Sequence, residues 1–332
     1  MTTAPRTAAS PGIPPAGATA SSSGVRPSAV TARDLARATA TRQRRGARFK
    51  LWAGAVCTAL VVLPVALAGL LPLPGADAQD LSRRRLPPLS DGHLFGTDQL
   101  GRDLLSRVLH GGQVSLTVGI LAVLVSGLIG VAAGSAAGFF GGWVDAAVSR
   151  LLEAQLALPL LMMLLLVVAL FGPSVVVITC VIAVAQWPEV ARLTRSLVLV
   201  EREKPYVAAA RVLGLRGWSV LGRHVIPNVI RPASLVVLLL LAQAVLLESA
   251  LSFLGAGPQR PFATWGRIIS DGQDYITTSW WLVTLPGLVI ALLVVGVNLL
   301  GDGLRDRTGT TKAPRGARVP RGTRAARAEK GA

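Results

Sequence analysis

The sequence has few of the residues from which catalytic and metal sites are built. Its two cysteines, Cys57 and Cys180, lie in apolar runs, where a thiol behaves as a small hydrophobic side chain. Two such cysteines and three scattered histidines give neither a disulfide framework nor a metal-ligand spacing, so we expect no metal site. The chain also lacks a GxxxxGK[ST] phosphate loop, an HExxH motif and a Ser/His/Asp constellation. We therefore expect no cofactor, no enzyme and no ATP bound through a phosphate loop of this chain.

Charge is scarce between the two ends of the chain. Hydrophobic residues make up 52% of the sequence and the mean hydropathy is +0.55, yet the formal net charge is +17. Residues 1–50 carry nine Lys and Arg against Asp34 alone, and residues 305–332 carry nine against Asp306 and Glu329. The positive charge therefore belongs to the ends. It argues for a membrane protein whose basic tails contact the lipid bilayer, and against nucleic-acid binding.

Long apolar runs dominate the rest of the chain, and a transmembrane helix needs about 20 such residues. They predict an all-α membrane protein with six transmembrane helices. The runs cover residues 51–71, 114–138, 151–171 with a break at Pro159, 174–188 running on towards Arg195, 231–254 and 281–304. In the second run Gly130, Gly134 and Gly138 recur at every fourth position, which is typical of close helix packing.

The remaining segments complete the organisation. Residues 1–48 and 305–332 are predicted to be disordered basic tails, because such compositions bury too little apolar surface to offset the entropy of ordering. Residues 49–113 hold the first transmembrane helix and a polar loop, in which residues 99–109 are predicted to form an interfacial helix. Residues 114–304 hold the other five transmembrane helices. Within them, residues 143–153 are predicted to be a short turn and residues 206–228 a polar loop.

The basic residues also predict the orientation. Residues 189–231 carry eight Lys and Arg against three Glu, whereas residues 72–113 and residues 256–281 each have no net charge. Positively charged loops stay on the cytoplasmic side of a membrane. The loop of residues 206–228 and both termini are therefore predicted to be cytoplasmic.

The loop of residues 206–228 contains a helix pattern of its own. Spacings of three and four predict one helix face made of Tyr206, Ala209, Ala210 and Leu213. Gly214 then suits a left-handed exit from the helix. A second amphipathic run, residues 218–225, is predicted to stop at Pro227. The loop is either an interfacial helix between two spans or a docking helix, whose arginines, Arg211 among them, pair with acidic groups of a partner.

These residues resemble the EAA loop of ABC-importer permeases, a pattern of small residues, a glycine and a later Ile/Leu-Pro. Ala209, Ala210, Gly214, Ile226 and Pro227 match that pattern, while Ala208 stands where the family usually has a glutamate. Three further stretches resemble the dipeptide, oligopeptide and nickel branch of these permeases. They are LFGTDQLGRDLLSRVLHGGQVSL at 94–116, ESALSFLGAG at 248–257 with TWG at 264–266, and NLLGDGLRD at 298–306. The resemblance covers about residues 94–306.

The resemblance implies a type I ABC-importer permease fold and a transmembrane permease subunit in the cell membrane. The implied cargo is a di- or oligopeptide, with nickel or another small solute as the alternative. The implied partners are a homologous permease subunit, two ATP-binding subunits and an extracytoplasmic solute-binding protein. The coupling loop, as we call residues 206–228, would then dock on an ATPase through Tyr206, Ala209, Ala210, Arg211, Gly214, Ile226 and Pro227.

Polar residues inside the predicted spans suggest a translocation pathway. Glu248 is the only carboxylate deep in a predicted span, and such a group faces a pathway or a partner, or else caps the helix turn near Ser252. Asn298 is our second candidate for a pathway residue. A secondary transporter driven by an ion gradient is the rival hypothesis, but it would need paired ionisable groups or inverted repeats. A membrane scaffold that uses its basic tails on lipid is a further alternative.

Overall fold

The computed structural model describes residues 29–259 and 262–308, and the side chains of residues 46–259 and 262–307. The chain divides into two compact units, residues 1–42 and 43–332, and the described part of the first is helical backbone that begins at Ala29. The described residues form an all-α structure, as predicted. Its helices are α1 (Ala29–Ala66), α2 (Leu104–Phe140), α3 (Gly142–Leu156), α4 (Leu160–Phe171), α5 (Val175–Arg202), α6 (Pro205–Val212), α7 (Gly217–Val220), α8 (Ile226–Phe253), α9 (Trp265–Gly272) and α10 (Trp281–Thr308).

Five segments of the described chain are single helical stretches long and apolar enough to cross a membrane. They are Gly46–Ala66, Leu104–Phe140, Val175–Arg202, Gly217–Phe253 and Trp281–Arg307. Helices α3 and α4 meet at 89° and make a sixth span if the bent pair is counted as one. The bend lies before Pro159, where the break was predicted, because a proline cannot donate the hydrogen bond that would continue α3.

Two boundary predictions are corrected by the structure. Helix α1 extends back to Ala29, while residues 1–28 and 309–332 of the predicted basic tails lie outside the described residues. Residues 29–48 are rich in Ala and Arg, which are good helix formers, and they elongate a helix whose apolar part already provides the nucleus. Residues 143–153, predicted to be a turn, belong to α3, since they too are good helix formers.

The predicted interfacial helix over residues 99–109 is also wrong at its start. Gly101 has a φ of +73°, and α2 begins only at Leu104 and then runs without interruption to Phe140. The Asp103 side chain caps this helix by accepting a hydrogen bond from the Ser106 backbone N–H at 2.7 Å. The stretch of residues 94–116 and the predicted second span therefore meet in one helix, α2, which Asp103 caps.

The glycines of α2 allow it to pack closely on α5, as their spacing predicts. A Cβ added to Gly130 would lie 2.5 Å from the Val190 Cβ, and one added to Gly138 would lie 2.8 Å from the Arg195 carbonyl oxygen. Helix α8 packs on both α2 and α5, and α10 packs on α8 and α9. Helix α8 therefore contacts three other membrane-spanning helices, α2, α5 and α10, and its N-terminal end continues into the coupling loop.

Candidate coupling surface and buried polar residues

The coupling loop is built as a helix followed by a tight turn. Helix α6 begins with Pro205, whose fixed φ and missing N–H suit the first helical turn. It ends at Val212, and Gly214 follows with a φ of +78° and with no neighbour within 4 Å of an added Cβ. The helix and the left-handed glycine are thus confirmed, and it is the backbone rather than crowding that makes a side chain costly at Gly214.

The faces of α6 differ from the prediction. Val207 and Ala210 are the buried residues of this helix, and they pack in a cluster with Phe139, Val198, Val220, Leu221, Val225 and Val229. Ala210 therefore does not share an exposed face with Tyr206, Ala209 and Leu213. Val207 and Ala210 lie three positions apart and so share a helix face. This face is the buried one because burying the valine removes more apolar area from water than burying Ala209 would.

The opposite side of α6 presents apolar residues to the solvent. Ala208 and Ala209 are exposed, and Val212 and Leu213 are 87% and 80% exposed. Val212 and Leu213 lie outside every candidate membrane span. The coupling loop also carries three exposed arginines, Arg211, Arg216 and Arg223. An apolar patch with a polar rim is typical of a protein-binding surface.

Tyr206 joins α6 to its neighbours. Its hydroxyl donates to the Glu201 carboxylate at the end of α5 and accepts from Asn228 Nδ2 of α8 at 3.1 Å. Lys204 Nζ lies 2.6 Å from the other Glu201 oxygen. Burial, and next the hydrogen bond to Glu201, raise the pKa of Tyr206, and the same carboxylate raises the pKa of Lys204. Sequence reasoning missed Glu201 and Asn228, because no short motif links residues in three different helices.

The second half of the coupling loop does not stop at Pro227. Helix α7 continues through a π-helical turn, Leu221–Val225, into α8, and the Ile226 N–H donates to the Leu221 carbonyl. Pro227 then occupies the first turn of α8. A proline, which has no backbone N–H, is tolerated in the first turn of a helix because that position needs no intrahelical hydrogen-bond donor. Ile226 is half-buried against the cluster that holds α6.

Arg211 is the one predicted loop arginine with an aromatic partner in the described residues. Its guanidinium lies 4.9 Å from the centroid of the Phe139 ring, near the inner end of α2. Phe140 packs in turn on Trp218 of α7, with the ring centroids 4.4 Å apart. Tyr206, Ala210 and Arg211 therefore contact the adjoining ends of α2, α5 and α8, whereas Ala209 and Gly214 are exposed.

Glu248 lies near the other end of α8 and is fully buried. The Ser252 hydroxyl donates to its carboxylate at 2.6 Å, as expected for a carboxylate that caps this turn. The hydroxyls of Ser115, Ser249 and Thr264 also interact with it. This carboxylate therefore joins α2, α8 and the N-terminal cap of α9, whereas Asn298 is exposed on α10.

A buried network of charges fixes the outer loop to α9. The Asp98 carboxylate accepts from Arg102 Nε at 2.6 Å and from Arg107 Nη1 at 2.7 Å. Arg107 also donates to Asp271 of α9 at 3.0 Å. Asp103 lies 2.7 Å from His93 instead of joining this network. Asp98 therefore pairs with both arginines, whereas the Asp103 carboxylate caps α2.

Comparison with known proteins bears on both groups of residues. The profile of the family described as "Binding-protein-dependent transport system inner membrane component" matches residues 130–309. The probable D,D-dipeptide transport system permease protein DdpC of Escherichia coli is 38% identical over 76% of this chain and 84% of its own. The di/tripeptide transport system permease protein DppC of Pseudomonas aeruginosa is 41% identical over 64% and 70%. The dipeptide transport system permease protein DppC of Bacillus subtilis is 38% identical over 69% and 71%.

Proposed function

The chain belongs to the family of binding-protein-dependent transport system inner membrane components, and we propose that it is the permease subunit of an ATP-driven importer of di- and oligopeptides. It is a multi-pass membrane protein. The three relatives compared above are named as permeases of dipeptide or di/tripeptide systems, and this favours peptides over nickel as the cargo.

The proposed assembly contains this chain, a homologous permease subunit, two ATP-binding subunits and an extracytoplasmic solute-binding protein. Both termini and the coupling loop lie in the cytoplasm. The charge distribution supports this orientation, since basic residues accumulate in the tails and around the coupling loop and not in the opposite loops. ATP is then bound by the partner subunits, on the same side as α6.

The exposed apolar edge of α6 is the observation that carries the proposal. Val212 and Leu213 project from a helix whose other face is anchored by Val207 and Ala210. A groove on an ATPase would cover this edge, and exposed arginines at its rim would meet acidic groups there. Because Tyr206 joins α6 to α5 and α8, movement of the docked helix would be passed to two membrane-spanning helices. Those helices would then switch the pathway between inward- and outward-facing states.

Replacing Ala209 by tryptophan in the complete reconstituted transporter tests this proposal. Ala209 is exposed on α6, so the larger side chain leaves the fold intact and obstructs the docked partner. We expect the variant complex to lose ATP-driven peptide uptake or to release its ATPase subunits. Ala146→Trp, at an exposed alanine of α3, is the matched control and retains uptake. Normal coupling in Ala209→Trp would contradict docking through α6.

A further inference from the structure

Two amide side chains within the membrane-spanning helices have no hydrogen-bond partner among the described residues. They are Gln243 of α8 and Asn298 of α10, and both are exposed. Two exposed hydroxyl groups of the membrane-spanning helices, by contrast, are satisfied locally. The Thr117 hydroxyl donates to the Gln113 carbonyl at 2.6 Å, and the Ser234 hydroxyl donates to the Arg231 carbonyl at 2.8 Å. An unpaired amide is costly against hydrocarbon, so these two require an aqueous pathway or a polar partner.

Glu189 of α5 is a third polar group of this kind. It is exposed and forms no ion pair with any residue that the structure describes. Because α5 runs from Val175 to Arg202, Glu189 lies about 21 Å along its axis, near the middle of this candidate membrane span. Unlike Glu248, Glu189 has no hydroxyl partners in the described chain.

Glu189, Gln243 and Asn298 point to the same side of the helix bundle. Each lies two positions, about 200° of helical rotation, from a residue that packs on α1 or α2. Those residues are Ala191, close to Gly134 of α2; Leu241, close to Gly119 of α2; and Gly296, close to Thr58 of α1. The three polar side chains therefore face away from α1 and α2.

The helix contacts also place Gln243 and Asn298 at a similar depth. A Cβ added to Gly301 would lie 2.9 Å from the Leu239 Cγ, so α8 and α10 meet there as antiparallel neighbours. From that contact Gln243 lies about 6 Å outward along α8, and Asn298 lies about 4.5 Å outward along α10. On the α5 side, Gln186 Nε2 donates to the Leu240 carbonyl at 3.1 Å. Glu189 lies one turn further inward.

We infer that this polar face, defined by Glu189, Gln243 and Asn298, contacts the peptide during its passage. The inference rests on the importer function proposed above. A side-chain amide offers both a donor and an acceptor, which match the C=O and N–H of any peptide bond irrespective of side chain. The Glu189 carboxylate complements the ammonium group at the amino terminus of a peptide. The polar face is therefore suited to peptides with a free amino terminus.

The other accessible surface of α8 has no such chemistry. It forms a groove with α2 that is lined by Leu124, Val237 and Leu241, and the hydroxyl of Ser234 at its edge is already bonded. A peptide in that groove would leave its backbone hydrogen bonds unsatisfied. This comparison favours the polar face over the apolar groove as the part of the pathway that this subunit lines.

The first experiment measures ATP-driven dipeptide uptake by the complete transporter in proteoliposomes. Each of Gln243→Leu and Asn298→Leu removes one hydrogen bond at nearly constant volume, so we expect the uptake efficiency to fall about 3- to 10-fold in each. Glu189→Gln should lower uptake of a free dipeptide but not of its N-acetylated form. Ser234→Ala, at the apolar groove, is the control and keeps full uptake. Assembly and ATP hydrolysis stay intact in all four variants.

Two results of this experiment would overturn the inference. Unchanged uptake by Gln243→Leu and Asn298→Leu would show that these amides do not contact the cargo. Dissociation of either variant from its partner permease on gel filtration would assign the polar face to the subunit interface instead.

Thiol labelling separates the inference from the importer proposal. In a chain with Cys57→Ala and Cys180→Ala, we expect Gln243→Cys to react with a water-soluble thiol reagent. Leu128→Cys, at an exposed apolar residue of α2, should not react. Reaction of Leu128→Cys and not of Gln243→Cys would contradict the inference that the polar face lines an aqueous pathway. If the unmodified transporter took up no peptide at all, the importer proposal would fail, while the labelling would still decide which face is aqueous.

Discussion

At the scale of single residues, Glu248 illustrates a buried carboxylate that is satisfied by neutral donors. Four hydroxyl groups from two helices and a helix cap surround it, and the carboxylate is fully buried. The bond from Ser252 follows from the spacing of four residues in one helix, and the sequence predicts it as one alternative. The contacts of Ser115 and Thr264 depend on how α2 and α9 pack on α8, and no local pattern contains that information.

Removing the Glu248 carboxylate should destabilise the protein. Glu248→Leu leaves the surrounding hydroxyls without their acceptor, and each such group costs about 1–3 kcal/mol, so a clear loss in the melting temperature of the purified subunit is expected. Glu248→Gln keeps one acceptor oxygen and should lie between this variant and the wild type. Equal melting temperatures for all three proteins would contradict a structural role of the carboxylate.

Glycine at position 130 is required by packing and not by backbone conformation. An added methyl group would meet Val190, so Gly130→Ala should destabilise the contact of α2 with α5 by about 1–3 kcal/mol. Gly287→Ala in α10 is the control, because no atom lies within 4 Å of its added Cβ and alanine favours a helix. Thermal unfolding in detergent compares the two, and a lower melting temperature for Gly287→Ala than for Gly130→Ala would refute the packing argument.

At the scale of elements, hydrophobic periodicity predicts the existence of the helices better than their ends. The apolar runs of α2, α5, α8 and α10 are evident, because a membrane span needs about 20 apolar residues. The ends depend on features that the runs do not contain. Helix α2 starts where Asp103 caps it, and α8 continues inward through Pro227 because a π-helical turn precedes that proline. The helix of the coupling loop was predicted, but its buried face was not, since Val207 and Ala209 lie on competing faces.

The hydroxyl of Tyr206 should be needed to transmit movement from α6 to α5 and α8. Tyr206→Phe removes its hydrogen bonds to Glu201 and Asn228 but retains the ring. In the reconstituted complex we expect ATP hydrolysis to continue while the amount of peptide transported per ATP falls several-fold. This size of effect corresponds to the free energy of one or two lost hydrogen bonds. Tyr275→Phe changes the only other tyrosine of the chain and serves as control. An unchanged ratio of uptake to hydrolysis in Tyr206→Phe would exclude this role.

At the scale of the whole molecule, two polar layers lie on either side of the apolar helix bundle. The outer layer joins the loop before α2 to α9 through Asp98, Arg107 and Asp271. The inner layer is the coupling loop with its arginines. The sequence indicates both layers through charge, but the pairing of Arg107 with Asp271 joins residues that are far apart in the chain and could not be predicted from their spacing.

The proposed orientation makes opposite predictions for these two layers. In a chain with Cys57→Ala and Cys180→Ala, a membrane-impermeant thiol reagent added to intact cells should label Leu89→Cys in the outer loop and leave Ala209→Cys unlabelled. Both positions are exposed, so a difference in labelling reports the side of the membrane. Labelling of Ala209→Cys alone would invert the topology and remove the basis for an ATPase partner at α6.

The uninterrupted helical stretch from Gly217 to Phe253 has a mechanical consequence. At about 1.5 Å per residue it is a rod roughly 55 Å long. If the inner end of such a rod is tilted about a pivot, small angles become displacements of several ångströms at the far end, where Glu248 holds α2 and α9. In the proposed importer, a small rotation of a docked ATPase would therefore displace the far end of α8 by several ångströms.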